Sequence, residues 1–294
     1  MNRLILSMVI LASSFSINAG TNYSSFENPG MIMSVQDLAK NINNPKLRLI
    51  DAQDATKYET EHIPGAINIP IIPTVSRTEV LDNGKTVKGL VMLAEDIQPV
   101  LRAAGINNDS HVVIYSNDAF RASRIWWILD YYGHQNLTIL DGGLAAWKAN
   151  GGEVSLVDSE APAKGNFVPV SNPAKVVDFN HVNSILGDSE VVLVDALSSK
   201  SYSKGHIPGA VNIFFGDTLD SDNNGTLQSA SKLQNLFTEV GANKNSKEVI
   251  FYCGGGWVSA HEVFVARLLG YDNVRLYDGS KWDWIPRGGK IATK

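Results

Sequence analysis

The sequence contains a single cysteine, Cys253, and three glycines follow it directly in the stretch VIFYCGGGWVS. A thiol at such a strand-to-helix turn lies among backbone N–H groups and near a helix N-terminus, and both favour the nucleophilic thiolate. Glycine permits positive φ angles and leaves room for an incoming substrate. We therefore predict that Cys253 is a nucleophile and that Gly254, Gly255 and Gly256 form a cradle of N–H donors for negative charge.

The alternative is that Cys253 is a small buried side chain that packs and does not react, as many free cysteines do. A lone cysteine cannot form a disulfide within the chain, and no second cysteine exists to build a zinc site. Any covalent bond that Cys253 makes must therefore be to a substrate or a partner.

The chain contains an internal repeat. The segments LRLIDAQDATKYETEHIPGAINIP, from Leu47, and VVLVDALSSKSYSKGHIPGAVNIF, from Val191, match each other 144 residues apart. This spacing indicates a duplicated domain, because solenoid repeats have periods of roughly 20 to 50 residues. Further along the chain, Ser116 occupies the position that corresponds to Cys253, so only the second half has the thiol.

The hydrophobic pattern predicts the elements that position Cys253. Each half begins with an N-cap residue, Ser34 or Asp178, followed by apolar side chains at helical spacing. Nearly continuous apolar runs such as VVLVDA and EVIFY are typical of buried parallel strands with helices on both faces. We therefore predict an α/β fold with two tandem domains, each a doubly wound, mainly parallel sheet. Cys253 then lies at the carboxyl end of a strand, where sites form in such sheets.

Composition and the N-terminus restrict the class of protein. The 294 residues carry a net charge of −5 without a basic run, which argues against nucleic-acid binding. Residues 1–20 resemble a secretory signal peptide, and the alternative is an N-terminal anchor that stays attached. We expect an exported, soluble, periplasmic protein with no membrane span in its mature form. The predicted domains are residues 30–150 and 174–294, joined by a linker at 151–173 that is rich in Gly, Pro, Ser and Ala.

Four motifs, YETEHIPGAINI, YSKGHIPGAVNI, YCGGGWVS and YDGSKWDW, together resemble those of the two-domain rhodanese-type sulfurtransferases, over about residues 33–286. The resemblance implies a rhodanese-like fold in each half, an inactive first domain and a catalytic second domain. It implies that Cys253 takes sulfur from thiosulfate or 3-mercaptopyruvate as a persulfide. Cyanide, a thiol or a thioredoxin-like protein then accepts that sulfur in a ping-pong reaction. It implies no metal and no organic cofactor, and we expect a monomer.

The resemblance also assigns residues that bind the anionic donor. RASRIWW is similar to the segment of two-domain members whose arginine reaches across to the substrate, and it places that arginine at Arg124. Arg121 is a second candidate, and a position on the helix surface is the alternative for Arg124. The remaining predicted substrate-binding residues are those of the loop, Gly254, Gly255, Gly256, Trp257, Val258 and Ser259. For Trp257, support of the loop is an equal alternative.

Some residues of this sequence differ from the family's motifs, and these differences bear on the alternative functions and on the choice of sulfur donor. A persulfide carrier that turns over small donors poorly is the main alternative function. A related phosphatase is disfavoured, because Ser259 stands where its phosphate-binding arginine is required. The neutral loop, Val258 and Asp130 leave the choice between thiosulfate and 3-mercaptopyruvate open. His62 and His206 occur in both halves, including the half without a thiol, and are predicted to be structural.

Overall fold

The computed structural model describes residues 23–294, so the predicted signal peptide at 1–20 lies outside the described residues. No helix in the described part is long and apolar enough to cross a membrane. The elements of the first half are β1 (Ile32–Met33), α1 (Val35–Asn41), β2 (Leu47–Asp51), α2 (Ala55–Thr60), β3 (Ile67–Asn68), β4 (Ser76–Val80), β5 (Thr86–Val91), α3 (Ala94–Ala103), β6 (His111–Tyr115), α4 (Ala119–Tyr131), β7 (Leu137–Leu140) and α5 (Gly143–Ala149).

The second half repeats this order from residue 176. Its elements are β8 (Val176–Val177), α6 (Phe179–Ser184), β9 (Val191–Asp195), α7 (Ser199–Lys204), β10 (Val211–Asn212), β11 (Leu219–Asp220), β12 (Thr226–Leu227), α8 (Ala230–Glu239), β13 (Glu248–Tyr252), α9 (Ser259–Leu268), β14 (Val274–Tyr277) and α10 (Ser280–Trp284). The side chains of Ser34 and Asp178 cap α1 and α6, which confirms the two predicted helix starts.

Each half builds one five-stranded parallel sheet, in the order β1-β7-β6-β2-β3 and β8-β14-β13-β9-β10. The registers correspond, with Leu49 opposite Val113 in the first sheet and Leu193 opposite Ile250 in the second. Strands buried on both faces read as continuous apolar runs, which is why their sequences predicted this arrangement. The two-domain α/β fold is therefore confirmed.

Helices cover both faces of each sheet. In the first sheet, Leu49 and Val113 pack with α1 and α5, whereas Ile50 and Val112 face α3 and α4 on the other side. The inner faces of the two sheets share one continuous hydrophobic core, and in it Trp126 of α4 packs edge-on against Phe264 of α9, with ring centroids 5.2 Å apart. The domains are therefore joined through α4 and α9 rather than by the linker alone.

Two antiparallel hairpins, β4–β5 and β11–β12, were not predicted. Each one reaches the other domain. In one, the N–H of Val91 donates to Asp278 (2.9 Å), and in the other the N–H of Leu227 donates to Asp141 (2.8 Å). Asp141 and Asp278 hold corresponding positions after β7 and β14, so the two cross-domain contacts follow the internal repeat.

The histidines of the HIPGA motifs have the same environment in both halves. His62 stacks on Tyr58, with ring centroids 3.8 Å apart, and its Nδ1 donates to the Tyr58 carbonyl (2.8 Å). His206 stacks on Tyr202 at 4.0 Å and donates to that carbonyl at 2.9 Å. Because the half without a cysteine has the same contacts, these histidines are structural, as predicted.

Candidate active site

Cys253 follows β13 directly, and only 2% of its surface is exposed. Its N–H donates to the Oγ of Ser280 (3.0 Å), and its carbonyl accepts from the N–H of Lys281 (3.2 Å). The neighbouring carbonyl of Gly254 accepts from the N–H of Trp282 (2.8 Å). The beginning of α10 therefore fixes the backbone of the predicted nucleophile.

The glycines of the loop are required by close approaches within the protein. Gly256 has a φ of +77°, and a Cβ there would lie 2.2 Å from the carbonyl oxygen of Asp278. A Cβ on Gly255 would lie 2.3 Å from the ring of Trp282, whereas one on Gly254 would make an ordinary contact at 3.5 Å. Within the loop, only Gly256 has the positive φ that the sequence led us to expect. The space beside Gly255 and Gly256 is filled by the protein and not left for a substrate.

The rest of the loop connects Cys253 to α9 and to the first domain. The indole Nε1 of Trp257 donates to the carbonyl of Gly89 in β5 (3.2 Å), and its ring meets that of Trp282 edge-on at 6.0 Å. Trp257 therefore supports the loop, which was one of its two predicted roles. Val258 is half-buried at the end of the loop, and Ser259 starts α9 with a buried Oγ that has no hydrogen-bond partner among the described residues.

Arg124 reaches across to the loop from α4, but its partners belong to the protein. The side chain is 0% exposed, and its Nη2 lies 2.7 Å from the Oδ1 of Asp278. The guanidinium also donates to the carbonyls of Gly89 (3.2 Å) and Gly256 (3.4 Å), and it lies 4.8 Å from the ring of Trp127. It is not on the helix surface. These contacts stabilise the loop, and the binding of a donor by Arg124 stays a prediction.

Arg121 and Asp130 are bonded away from the loop. Arg121 forms ion pairs with Asp54 (2.7 Å) and Asp118 (3.2 Å), both in the first domain. Asp130 pairs with Lys175 and lines a separate polar groove between the domains. Asp130 therefore gives no information about the choice of sulfur donor. Arg121 would have to break its ion pairs with Asp54 and Asp118 before it could bind the anionic donor.

Sequence reasoning missed an ion pair beside the loop. The Nζ of Lys281 lies 3.1 Å from the Oδ2 of Asp195, and both side chains are largely buried. The corresponding carboxylate of the first half, Asp51, bonds to the amide of Gln53 instead. Asp51 and Asp195 hold matching positions in the internal repeat, but of the two only Asp195 forms an ion pair with a lysine. The signal was present in the motif YDGSKWDW, in which Lys281 follows Ser280.

A groove of about 350 Å³ lies next to the loop. Trp282, which packs on Gly255, lines this groove, and so does Lys88 of β5, whose side chain is exposed. Lys88 forms no ion pair with any described residue, so its charge is free to meet an anion. The residues that line the groove are Thr86, Lys88, Lys281, Trp282, Ile285 and Pro286.

Glu262 was also missed, because one glutamate in the helical pattern SAHEVFVARL reads as a residue on the helix surface. The side chain is instead fully buried, and neither carboxyl oxygen has a hydrogen-bond partner among the described residues. Burial raises the pKa of Glu262 well above its usual value, and the charges of Asp195, Cys253 and Asp217 act in the same direction.

The corresponding loop of the first domain has no thiol. Ser116 follows β6 there and lines a cavity of only about 60 Å³ that His261 of α9 closes from the other domain. The two ring nitrogens of His261 bond to the hydroxyls of Ser123 (2.9 Å) and Thr218 (2.8 Å), and burial lowers its pKa to about 4. This cavity therefore lacks a group that could attack a sulfur donor.

Comparison with known proteins gives one family for both halves. The sequence matches the Rhodanese-like domain at residues 34–150 and again at residues 179–286. It is 30% identical over 275 residues to a probable 3-mercaptopyruvate sulfurtransferase from Pseudomonas aeruginosa, covering 86% of this chain and 94% of that one. It is 29% identical over 282 residues to a protein of Mycobacterium tuberculosis that is provisionally named a thiosulfate sulfurtransferase, covering 89% and 96% of the two chains.

The fold agrees with a solved structure of the same family. SseA from Escherichia coli, a 3-mercaptopyruvate sulfotransferase with the rhodanese fold, superimposes with a TM-score of 0.75 at 26% identity. The superposition covers 85% of this chain and 98% of that one. With a match in each half and relatives that align over nearly their whole length, this chain belongs to the rhodanese-like family and contains two rhodanese-like domains.

Proposed function

We propose that this protein is a sulfurtransferase that carries sulfur on Cys253 as a persulfide. The observation that carries the proposal is the position of Cys253, which lies at the carboxyl end of β13, in a glycine loop and ahead of the N-terminus of α9. The relatives that match nearly the whole chain are named as sulfurtransferases for 3-mercaptopyruvate or for thiosulfate. These two donors are therefore the candidate substrates.

In the first half-reaction, the Cys253 thiolate attacks the outer sulfur of the donor. A new S–S bond forms, and the bond between that sulfur and the rest of the donor breaks, which releases sulfite from thiosulfate or pyruvate from 3-mercaptopyruvate. In the second, cyanide or a thiol attacks the outer sulfur of the persulfide and regenerates the thiolate. Thiolate and persulfide are both anionic, so the N–H groups of the loop and the α9 dipole stabilise both forms.

The donor also needs a cation for its carboxylate or sulfonate. We propose that Lys88 supplies it, because its charge is unpaired and it lines the groove beside the loop. Lys281 lines the same groove but already faces Asp195 (3.1 Å). Arg124 and Arg121, the candidates from the sequence, would each have to leave a carboxylate. Arg124 instead contributes by fixing the position of the loop through Gly256 and Asp278.

Steady-state transfer from each donor to cyanide tests the proposed reaction. A sulfurtransferase gives parallel lines in double-reciprocal plots, because the donor product leaves before the acceptor binds. A persulfide carrier would accept sulfur in a single turnover and show almost no continuous transfer to cyanide. A protein with neither behaviour would have a different function.

We further propose that the protein is exported, with residues 1–20 as its signal peptide. The support is the basic start, apolar stretch and small residues of that segment. The mass of the protein recovered from periplasmic extract tests this proposal. Removal of about twenty residues is expected for a cleaved signal peptide, and a full-length chain in the membrane fraction would identify an anchor instead.

A further inference from the structure

Glu262 is a buried acid that the reaction described above does not use. It lies in the first turn of α9, the helix that begins where the Cys253 loop ends. Side chains on a helix lean toward its N-terminus, so the carboxyl group of Glu262 points back in the direction of the loop. It is 0% exposed, and both of its oxygens lack a partner among the described residues. An ionised carboxylate in such a place is strongly unfavourable, so burial favours the protonated form of Glu262.

The groups that face Glu262 reinforce this state. Asp195 at the end of β9, Asp217 before β11 and the thiol of Cys253 all raise its pKa further. Lys281 forms its ion pair with Asp195 (3.1 Å) and not with Glu262. The acidic neighbours of Glu262 therefore come from three separate parts of the second domain. Glu262 itself forms no ion pair with the described residues.

A second polar group on the same helix also lacks a partner. The Oγ of Ser259 is buried without a hydrogen bond among the described residues. Ser259 and Glu262 are three residues apart, so they lie on one face of α9. Buried polar atoms are nearly always hydrogen-bonded in folded proteins. Two unsatisfied groups on one helix face, next to the reactive loop, indicate a place for a polar ligand.

The two candidate donors differ in their need for a proton. When thiosulfate loses its outer sulfur, sulfite leaves with the electron pair and needs no proton. When 3-mercaptopyruvate loses its sulfur, the C–S bond breaks and the electron pair goes to C3, which gives the enolate of pyruvate. That carbon must take up a proton before pyruvate is complete.

On the basis of the proposed sulfurtransferase function, we propose that Glu262 is the acid that protonates C3 of this enolate, so that the site serves 2-oxo thiols such as 3-mercaptopyruvate. The protons balance within the site. Glu262 gives its proton to C3, and the new persulfide, Cys253–S–SH, returns a proton to the Glu262 carboxylate and stays as Cys253–S–S⁻. The net change is transfer of one sulfur atom from 3-mercaptopyruvate to the Cys253 thiolate, with pyruvate released.

The test compares kcat/KM for 3-mercaptopyruvate and for thiosulfate, with cyanide as acceptor, in the wild type and in Glu262→Gln. Glutamine keeps the shape of the side chain but cannot give up a proton in this role. The matched control is Glu239→Gln, an exposed residue at the end of α8. Loss of a general acid typically costs 10²- to 10⁴-fold, so we expect kcat/KM for 3-mercaptopyruvate to fall at least about 100-fold in Glu262→Gln. Transfer from thiosulfate should stay within about threefold of the wild type, because it uses no general acid.

Several results would overturn the role of Glu262. These are an equal loss with both donors in a folded Glu262→Gln, no loss with 3-mercaptopyruvate, or a wild type that uses only thiosulfate. Failure of the proposed function itself looks different, because the wild type would then transfer sulfur from neither donor.

A measurement on the wild type alone covers the case in which Glu262→Gln does not fold. We expect the pH profile of kcat/KM for 3-mercaptopyruvate to fall at high pH on a limb that the thiosulfate profile lacks and that the separately measured titration of the donor's own thiol does not account for. Profiles of the same shape for both donors would contradict the assignment.

Discussion

Arg124 of the first domain and Asp278 of the second form a buried ion pair, with 2.7 Å between Nη2 and Oδ1. Both residues also touch other parts of the site. Arg124 donates to the carbonyl of Gly256 in the Cys253 loop (3.4 Å), and Asp278 accepts from the N–H of Val91 (2.9 Å). The loop of the second domain is therefore held in shape by a side chain of the first.

Replacing Arg124 should destabilise the protein, since it leaves Asp278 buried without its cation. We expect Arg124→Met to lower the free energy of unfolding by about 3–5 kcal/mol, as for other broken buried pairs. Arg124→Met/Asp278→Leu should recover part of this loss, and urea denaturation of the single and double variants measures the coupling. Unchanged stability with a higher KM for the donor would instead identify Arg124 as a substrate clamp.

Ser280 should tolerate glycine better than alanine, although alanine is the more conservative change. Its φ is +51°, a conformation that costs roughly 1–2 kcal/mol for a residue with a Cβ. Both substitutions remove the hydroxyl that accepts from the N–H of Cys253, at a cost of about 1–3 kcal/mol. Only glycine also relieves the backbone strain. Equilibrium unfolding that ranks Ser280→Gly below Ser280→Ala in stability would show that this strain is not significant.

Lys88→Ala should weaken binding of the anionic donor without affecting the fold. The side chain is exposed and makes no ion pair with the described residues, so its removal leaves no unpaired partner. An exposed charge pair contributes about 0.2–1 kcal/mol, so KM should rise roughly 1.4- to fivefold at low salt, and less at high salt. Lys85→Ala, at the exposed turn of the same hairpin, is the control. Equal effects from both lysines would mean that only the general positive charge of the hairpin matters.

Asp141 should make the stability of the protein depend on pH. Burial raises the pKa of Asp141 to about 6 in the folded state, from 3.8. Between these values the folded protein binds more protons than the unfolded chain, so the free energy of unfolding falls as the pH rises from about 4 to 6.

Asp141→Asn should lack this fall. From pH 4 to pH 7, the free energy of unfolding of Asp141→Asn should increase by on the order of 1–3 kcal/mol relative to that of the wild type. Urea unfolding of both proteins at both pH values measures this difference. The exposed Asp158→Asn is the control. The assignment would be wrong if the Asp141→Asn curve were parallel to that of the wild type.

The sheets and the position of Cys253 were predictable because their signals are local. A strand buried on both faces needs a continuous apolar run, and EVIFY has one, so the residue that follows it must lie at the carboxyl end of a parallel sheet. The same logic, applied to both repeats, separated the structural histidines from the nucleophile. The strands and the position of Cys253 depend on a few neighbouring residues, and the role of the histidines depends on comparing the two halves of the repeat.

The missed features depend on contacts between distant parts of the chain. The hairpins β4–β5 and β11–β12 are short and half exposed, and each contacts the opposite domain, which no local pattern records. The partner of Arg124 is Asp278, in the other domain, so the sequence alone could not distinguish a clamp from an ion pair. Glu262 looks like any surface residue of a helix, and only the packing of α9 shows that it is buried.

Intact-mass spectrometry after brief treatment with a sulfur donor examines whether Cys253 carries sulfur. The wild type, treated with 3-mercaptopyruvate or thiosulfate, should gain one sulfur atom, roughly 32 Da, and lose it when cyanide is added, as expected for a covalent intermediate. Cys253→Ser should gain nothing from either donor. Equal labelling of Cys253→Ser and the wild type, or a wild type that never gains this mass, would contradict a persulfide on Cys253.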